Sequence, residues 1–219
     1  MASEVKVDKL SQKGSSGIVI SDDIKLSVDK AIKNAAGTAL LTQAGVLDNV
    51  SLGSSVTGLP AGGITDFSQW RLTGSFTGHA DPIASNLAEV SATNYERIGD
   101  AFDAPSSGVF TFPSTGKWLI TFNVLFDAAS QSRYNHTYLK TTVDNGSNWV
   151  TGARGSAGWG STSVDVYSSC TCSFLFDVTV LATHKCSFQV LVAGVSAVTT
   201  EGSASESLTY INFMKLGGT

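Results

Sequence analysis

The first 64 residues of this chain contain no phenylalanine, tyrosine or tryptophan, although the whole chain has eleven, five and four of them respectively. Aromatic side chains supply much of the apolar area that a core buries. A stretch without them cannot build an ordinary monomeric core. The composition therefore predicts two structurally different parts that meet near residue 65.

Charged residues are scarce, and positive charge does not predominate. Asp, Glu, Lys and Arg make up 15% of the chain, and the formal net charge is -4. This balance offers no basic surface, so no nucleic-acid partner is predicted. No apolar run approaches the roughly 18 residues of a membrane-spanning helix, so no membrane insertion is expected.

Hydrophobic residues are also missing where a signal peptide would need them, because Glu4 and Asp8 lie near the N-terminus. We therefore expect synthesis in a cytoplasm without entry into the classical secretory route. Cysteine is rare as well. Cys170, Cys172 and Cys186 form an odd set, which argues against a disulfide framework and predicts reduced thiols in the core.

No catalytic motif is present. His79, His136 and His184 lie in no recognisable pattern, and the sequence has no G-x-S-x-G, no H-E-x-x-H and no phosphate-binding loop. We predict no catalytic residue, no cofactor and no enzyme activity. A polysaccharide depolymerase is the enzymatic alternative, and it would need carboxylates placed together in a groove.

A metal site can be drawn from two pairs of residues, Cys170 with Cys172 and His184 with Cys186, because residues two apart share a strand face. The same faces continue with phenylalanine and valine. That continuation favours small buried side chains over metal ligands. No metal site is predicted.

The clearest positive signal lies in residues 108–127. Two strand patterns are joined there by a turn at residues 113–116, and the second strand places large apolar residues at every other position. One face of that strand belongs in a packed sheet. The predicted core residues are Trp118, Ile120, Phe122, Val124 and Phe126.

Residues 65–219 show the strand spacing of an antiparallel sandwich. About nine or ten strands are predicted, and so many antiparallel strands in a part of this size indicate a jelly roll. Asp144, Asn145 and Gly146 predict a tight hairpin turn. Residues 163–180 are expected to hold two strands. The predicted strands cover residues 69–74, 95–98, 108–112, 117–127, 134–143, 149–153, 163–180, 185–195 and 207–216.

Residues 17–64 show short apolar alternations separated by turn residues at intervals of roughly 8 to 13 residues. This pattern indicates a fibrous β-repeat shaft ending in a linker. Each short strand has too little apolar area to be stable alone, so we expect stacking of three identical chains. A short helix at residues 28–34 is the alternative for one part. Residues 1–16 are predicted to be a docking arm.

Four blocks of the C-terminal part resemble, in order, strands of the globular heads of complement component one q and of the related tumour-necrosis-factor jelly rolls. These blocks are residues 95–99, 108–126, 186–190 and 208–216. The resemblance covers residues 66–219. It implies a homotrimeric, all-β jelly-roll head that binds other molecules.

Residues 17–26 and 33–41 resemble the short shaft repeats of bacteriophage fibre and virion structural proteins. The chain also lacks the collagen repeat that precedes animal complement heads. This resemblance implies a virion protein, made in the cytoplasm of a bacterial host. Its arm would dock on another virion protein, and its head would attach to a host surface glycan or outer-membrane protein.

Two segments with arginine and aromatic residues, 130–136 and 152–160, are the predicted contact loops. Arg, Tyr and Trp are favoured at interfaces, and aromatic rings can stack on sugars. Trp159 lies between two glycines, which argues against a place in a strand core. The candidate receptor or subunit contacts are Arg133, Tyr134, His136, Arg154 and Trp159.

Two further functions fit the same sequence. A head fibre or decoration protein on a capsid would share this architecture without being the primary receptor binder. A cellular adhesin or lectin with a complement-like head would need a non-classical route to the cell surface. The location of the protein in a virus particle separates the tail fibre from the decoration protein.

Overall fold

The computed structural model describes residues 31–33, 39–42, 64–128, 132–160, 165–193 and 198–219. The chain divides into two units, Met1–Leu59 and Pro60–Thr219. Within the described residues, every regular element is a β-strand. No described segment is a helix of the length and apolarity that a membrane crossing requires.

The first unit contains a pair of short antiparallel strands, β1 (Ala31–Lys33) and β2 (Ala39–Thr42). The helix considered for residues 28–34 is therefore wrong where the chain is described. Cross-strand hydrogen bonds pair backbone groups here, whereas a helix this short nucleates poorly. The predicted arm and the rest of the predicted shaft lie outside the described residues.

The second unit contains eleven described strands in two antiparallel sheets. The seven-stranded sheet consists of β3 (Phe67–Leu72), β4 (Phe76–Thr77), β5 (Leu87–Glu89), β7 (Gly116–Ala128), β10 (Val166–Val178), β12 (Thr199–Thr200) and β13 (Tyr210–Gly217). The four-stranded sheet consists of β6 (Val109–Thr111), β8 (Ser132–Thr142), β9 (Val150–Trp159) and β11 (Lys185–Val192).

The chain passes back and forth between the two sheets as it goes from β7 to β11. In the seven-stranded sheet, β7 pairs with β10 along one edge and with β13 and β12 along the other. In the four-stranded sheet the order is β6, β11, β8, β9. The chain therefore crosses from β7 to β8, returns from β9 to β10, and crosses again to β11, which produces two layers around one core.

The core lies between the two sheets, and β7 supplies much of it. Its inward residues Trp118, Ile120, Phe122, Val124 and Phe126 are all 0% exposed. The ring of Phe122 lies 4.9 Å from that of Phe188 on β11, so the contact joins the two layers. Burying each side chain of this size contributes about 1.5–3 kcal/mol.

Two strand predictions differ from the structure. The two strands predicted within residues 163–180 are, over the described residues, one strand, β10, which pairs with β7 from Val166 to Val178 without interruption. Its inward positions keep period two throughout, so nothing breaks the ladder. Residues 95–98 form no strand; Ile98 makes an isolated bridge to Phe67, because the chain only touches the edge of the sheet there.

The β8–β9 connection is longer than the predicted tight turn, because β8 ends at Thr142 and β9 begins at Val150. Asp144 holds this loop together. Its carboxylate accepts hydrogen bonds from the Thr142 hydroxyl at 2.6 Å and from the Asn148 side chain at 2.6 Å. These hydrogen bonds lower the pKa of Asp144 to about 2.

Candidate functional site

The predicted contact residues lie on paired strands and not on loops. Arg133, Tyr134 and His136 belong to β8, whereas Arg154 and Trp159 belong to β9. β8 and β9 are hydrogen-bonded neighbours, with Tyr138 opposite Arg154. The loop assignment of residues 152–160 was therefore wrong, but the structure brings the two segments together.

Glycine explains why β9 has the sequence of a loop and the structure of a strand. A Cβ atom added at Gly152 would lie 2.8 Å from the Phe174 ring, and one at Gly155 would lie 2.6 Å from the Cys170 sulfur. Both contacts are with β10, which packs against β9. The glycines are required by this close approach of two strands, not by a turn.

A register shift in β8 exposes two of the predicted residues. Ser132 is opposite Trp159 and Asn135 is opposite Ala157, so β8 has one extra residue between these pairs. This is a β-bulge, which re-aims side chains and is common near functional sites. As a result, the consecutive residues Arg133 and Tyr134 are both exposed.

Three rings follow one another along the outward face of β8. Tyr134 and His136 stack with centroids 5.0 Å apart and planes at 15°, and His136 meets Tyr138 edge to face at 5.9 Å. The intervening residues Asn135 and Thr137 are 0% exposed. We call Tyr134, His136, Tyr138 and Arg154 the aromatic–arginine strip.

The strip ends beside a depression in the same face. Lys140 follows Tyr138 on β8, and its ammonium group lies 2.8 Å from both carboxylate oxygens of Asp81. The depression has a volume of about 310 Å³. Its lining residues are Asp81, Pro82, Val109, Lys140, Trp149 and Ser187.

The arginine of the strip and a second arginine beside it on β8 have no ion-pair partner among the described residues. Arg133 and Arg154 are exposed, and neither forms an ion pair with a described residue. The nearest paired cation along the face is Lys140, whose charge Asp81 balances. β8 and β9 therefore each carry one exposed guanidinium group whose charge is available to a ligand.

His136 is electrostatically coupled to this charge. Burial lowers its pKa, the Arg154 guanidinium lowers that pKa further, and the hydrogen bond that the ring donates to the Gly155 backbone carbonyl acts in the opposite direction. The Nδ1 atom of His136 is buried without a hydrogen-bond partner. The His136 ring, with an unpartnered Nδ1 atom, is thus placed between two tyrosines.

Trp159 does not share the outward face with the strip. It is opposite the fully buried Ser132 and packs, partly buried, against the core. Contrary to the expectation from its glycine neighbours, it occupies an inward strand position. Ala153 and Ala157 on the same strand also pack, partly buried, against the core.

The chemistry of the cysteines is that of buried thiols. Cys170, Cys172 and Cys186 are free and buried. Burial raises the pKa of the Cys172 thiol and raises that of Cys186 well above its usual value. In the described part of the chain, no three His, Cys, Asp or Glu side chains are grouped closely enough to hold a metal ion.

Tyr138 was missed as a site residue from the sequence. The available signal was the period-two spacing of Tyr134, His136 and Tyr138, which places three rings on one strand face. Lys140 and Trp149 were missed for another reason. Their contribution to the depression depends on Asp81, which is distant in sequence.

Comparison with known proteins identifies the fold. No protein-family model and no curated protein sequence matches the chain. The structure is similar to Eiger TNF from S. frugiperda, with a TM-score of 0.52, 11% identity, and coverage of 70% of this chain and 93% of that one. It is also similar to murine APRIL, crystallised at pH 5.0, with a TM-score of 0.50, 14% identity, and coverage of 69% and 98%. The predicted all-β jelly-roll sandwich of the TNF-like type is confirmed.

Proposed function

We propose that this chain is a non-enzymatic, homotrimeric virion protein whose jelly-roll head attaches to the host cell surface. The observation that carries the proposal is that the outward faces of the two sheets differ in their chemistry. The seven-stranded sheet presents apolar groups suited to self-association. The four-stranded sheet presents the aromatic–arginine strip.

The self-association face contains an apolar row that crosses four strands. Leu175 is opposite Leu119, Leu119 is opposite Met214, and Met214 is opposite Phe67. These residues alternate with the buried core positions of their strands, so their side chains are on the outer side of the sheet. Leu175 is 51% exposed in the single chain. A continuous apolar row of this kind favours burial against another protein surface.

Two charged residues of the same sheet, on β3 and β7, each have a buried side-chain atom without a partner among the described residues. Arg71 is only 7% exposed, and its Nε atom has no hydrogen-bond partner. Asp127 has a buried carboxylate oxygen without a partner, and burial, followed by Asp165 and Glu201, raises its pKa. Buried polar groups are normally hydrogen-bonded. A second copy of the chain is well suited to supply the missing partners.

The virion assignment is supported by the resemblance of residues 17–26 and 33–41 to phage shaft repeats. A shaft of this kind would connect a particle to the head, and the predicted arm would anchor it. The decoration-protein alternative differs only in where the fibre is attached.

Cryo-electron microscopy of purified virus particles that contain this chain tests the proposal. We expect a threefold projection from the tail, with the apolar row at the threefold axis and the aromatic–arginine strip on the outer surface. A threefold projection from the capsid would favour the decoration protein. Absence of the chain from particles would refute a virion role.

A further inference from the structure

We propose that the aromatic–arginine strip binds an anionic polysaccharide, whose sugars have carboxylate or phosphate groups. The inference rests on the proposed attachment function, because it specifies the ligand class of the same head.

The rings favour a sugar ligand. Tyr134, His136 and Tyr138 lie in line at alternate positions of one strand, so successive rings are separated by about 7 Å of backbone. Tyr134 and His136 stack on each other, so this pair presents its ring edges along the face and not two free ring faces. A row of such rings along an extended strand suits an elongated ligand that carries both apolar and polar groups along its length, as a polysaccharide does.

The charges favour an anion. Arg133 and Arg154 have no ion pair among the described residues, and a guanidinium group matches carboxylate or phosphate with two parallel hydrogen bonds. The chain as a whole has a net charge of -4. General attraction of the protein for polyanions is therefore not expected, and binding must come from this local face.

His136 supports the same ligand class. Its Nδ1 atom has no hydrogen-bond partner among the described residues, and burial, together with Arg154 across the strand pair, lowers its pKa. The charged group that acts on it is Arg154 on β9, its ring contacts Tyr134 and Tyr138 on β8, and the residues opposite it are Ser156 on β9 and Leu191 on β11. A bound anion would offset the arginine charge, so affinity should increase as pH falls through the pKa of His136.

Isothermal titration calorimetry on the full chain provides the test. The probes are polygalacturonate oligosaccharides, the same oligosaccharides after reduction of their carboxyl groups, and phosphorylated dextran. Arg154→Gln and Tyr138→Ala should each weaken binding roughly tenfold or more, because each removes a direct contact. Lys117→Gln is the matched control, since it removes one exposed positive charge from β7 in the other sheet.

The inference is supported if either anionic probe binds, and if this binding is lost in Arg154→Gln and retained in Lys117→Gln. The probe that binds more tightly would then identify carboxylate or phosphate as the anion. Equal binding of the carboxyl-reduced probe, equal effects of both arginine and lysine substitutions, or no binding of any probe would overturn it. Sedimentation of the same samples measures the oligomeric state separately. A failure to bind anionic polysaccharide would therefore leave the proposed homotrimer standing.

Discussion

At His136, burial and a neighbouring positive charge change the pKa in the same direction. Both burial and Arg154 lower its pKa, with burial the larger cause. We predict that Arg154→Gln raises the pKa of His136 while leaving it below the ordinary value of about 6.5. Titration of the His136 ring signals by NMR measures this. Lys117→Gln should leave the pKa unchanged, and a pKa unaffected by Arg154→Gln would contradict the described geometry.

The sign of the accompanying stability change follows from the same shift. The folded-state pKa of His136 is below its unfolded value, so the unfolded chain takes up the proton more readily. The contribution of His136 to the free energy of unfolding is therefore complete above pH ~6.5 and decreases as pH falls through the folded-state pKa.

Phe122 tests the inward face of β7. It is 0% exposed and contacts Phe188 across the two sheets. Phe122→Asp should prevent folding, because an unpaired carboxylate would enter the core at a cost of several kcal/mol. Circular dichroism and thermal unfolding check this, with Thr151→Asp at an exposed position of β9 as the control. A folded Phe122→Asp chain would show that the inward face is wrongly assigned.

At the scale of the element, β9 depends on the close approach of its glycines to β10. We predict that Gly155→Ala lowers the free energy of unfolding by about 1–3 kcal/mol, because the added methyl group would lie 2.6 Å from the Cys170 sulfur and 2.8 Å from the Thr171 carbonyl oxygen. Chemical denaturation measures the change. Gly160→Ala is the control, since no atom lies within 4 Å of its added methyl group, and it should change stability by less than about 0.5 kcal/mol.

A comparison of β7 with β9 shows where the prediction of strands from the sequence succeeds and where it fails. β7 was predicted within a residue at each end, because its inward positions are large and apolar over its whole length. The inward positions of β9 include Ala153, Gly155 and Ala157, which carry almost no periodic signal. Strand identity there comes from pairing with β8 and from packing on β10, and neither is visible in the local sequence.

At the scale of the whole molecule, the apolar row is the expected subunit contact. Leu175→Glu should convert the assembled protein into folded monomers, because a charge would be placed in an interface while the single chain leaves that side chain 51% exposed. Sedimentation velocity measures the species present. Val150→Glu, at a 64% exposed position on the four-stranded sheet, should stay assembled. Assembly of Leu175→Glu would exclude the row as the contact.

The layout of the head was predictable from the sequence, whereas the composition of its surfaces was not. Strand spacing and apolar alternation indicated a jelly roll. The apolar row instead combines β3, β7, β10 and β13, which are far apart in the chain and meet only through the sheet order. The bulge that exposes Arg133 and Tyr134 likewise depends on the register between two strands.

The solution mass of the full-length chain tests the central claim most directly, because both the proposed fibre and the proposed binding head depend on self-association. Sedimentation equilibrium at micromolar concentration should give a single species with three times the mass of one chain. A stable monomer over the same concentration range would contradict the account, since the apolar row and the unpartnered Nε atom of Arg71 would then have no second copy to contact.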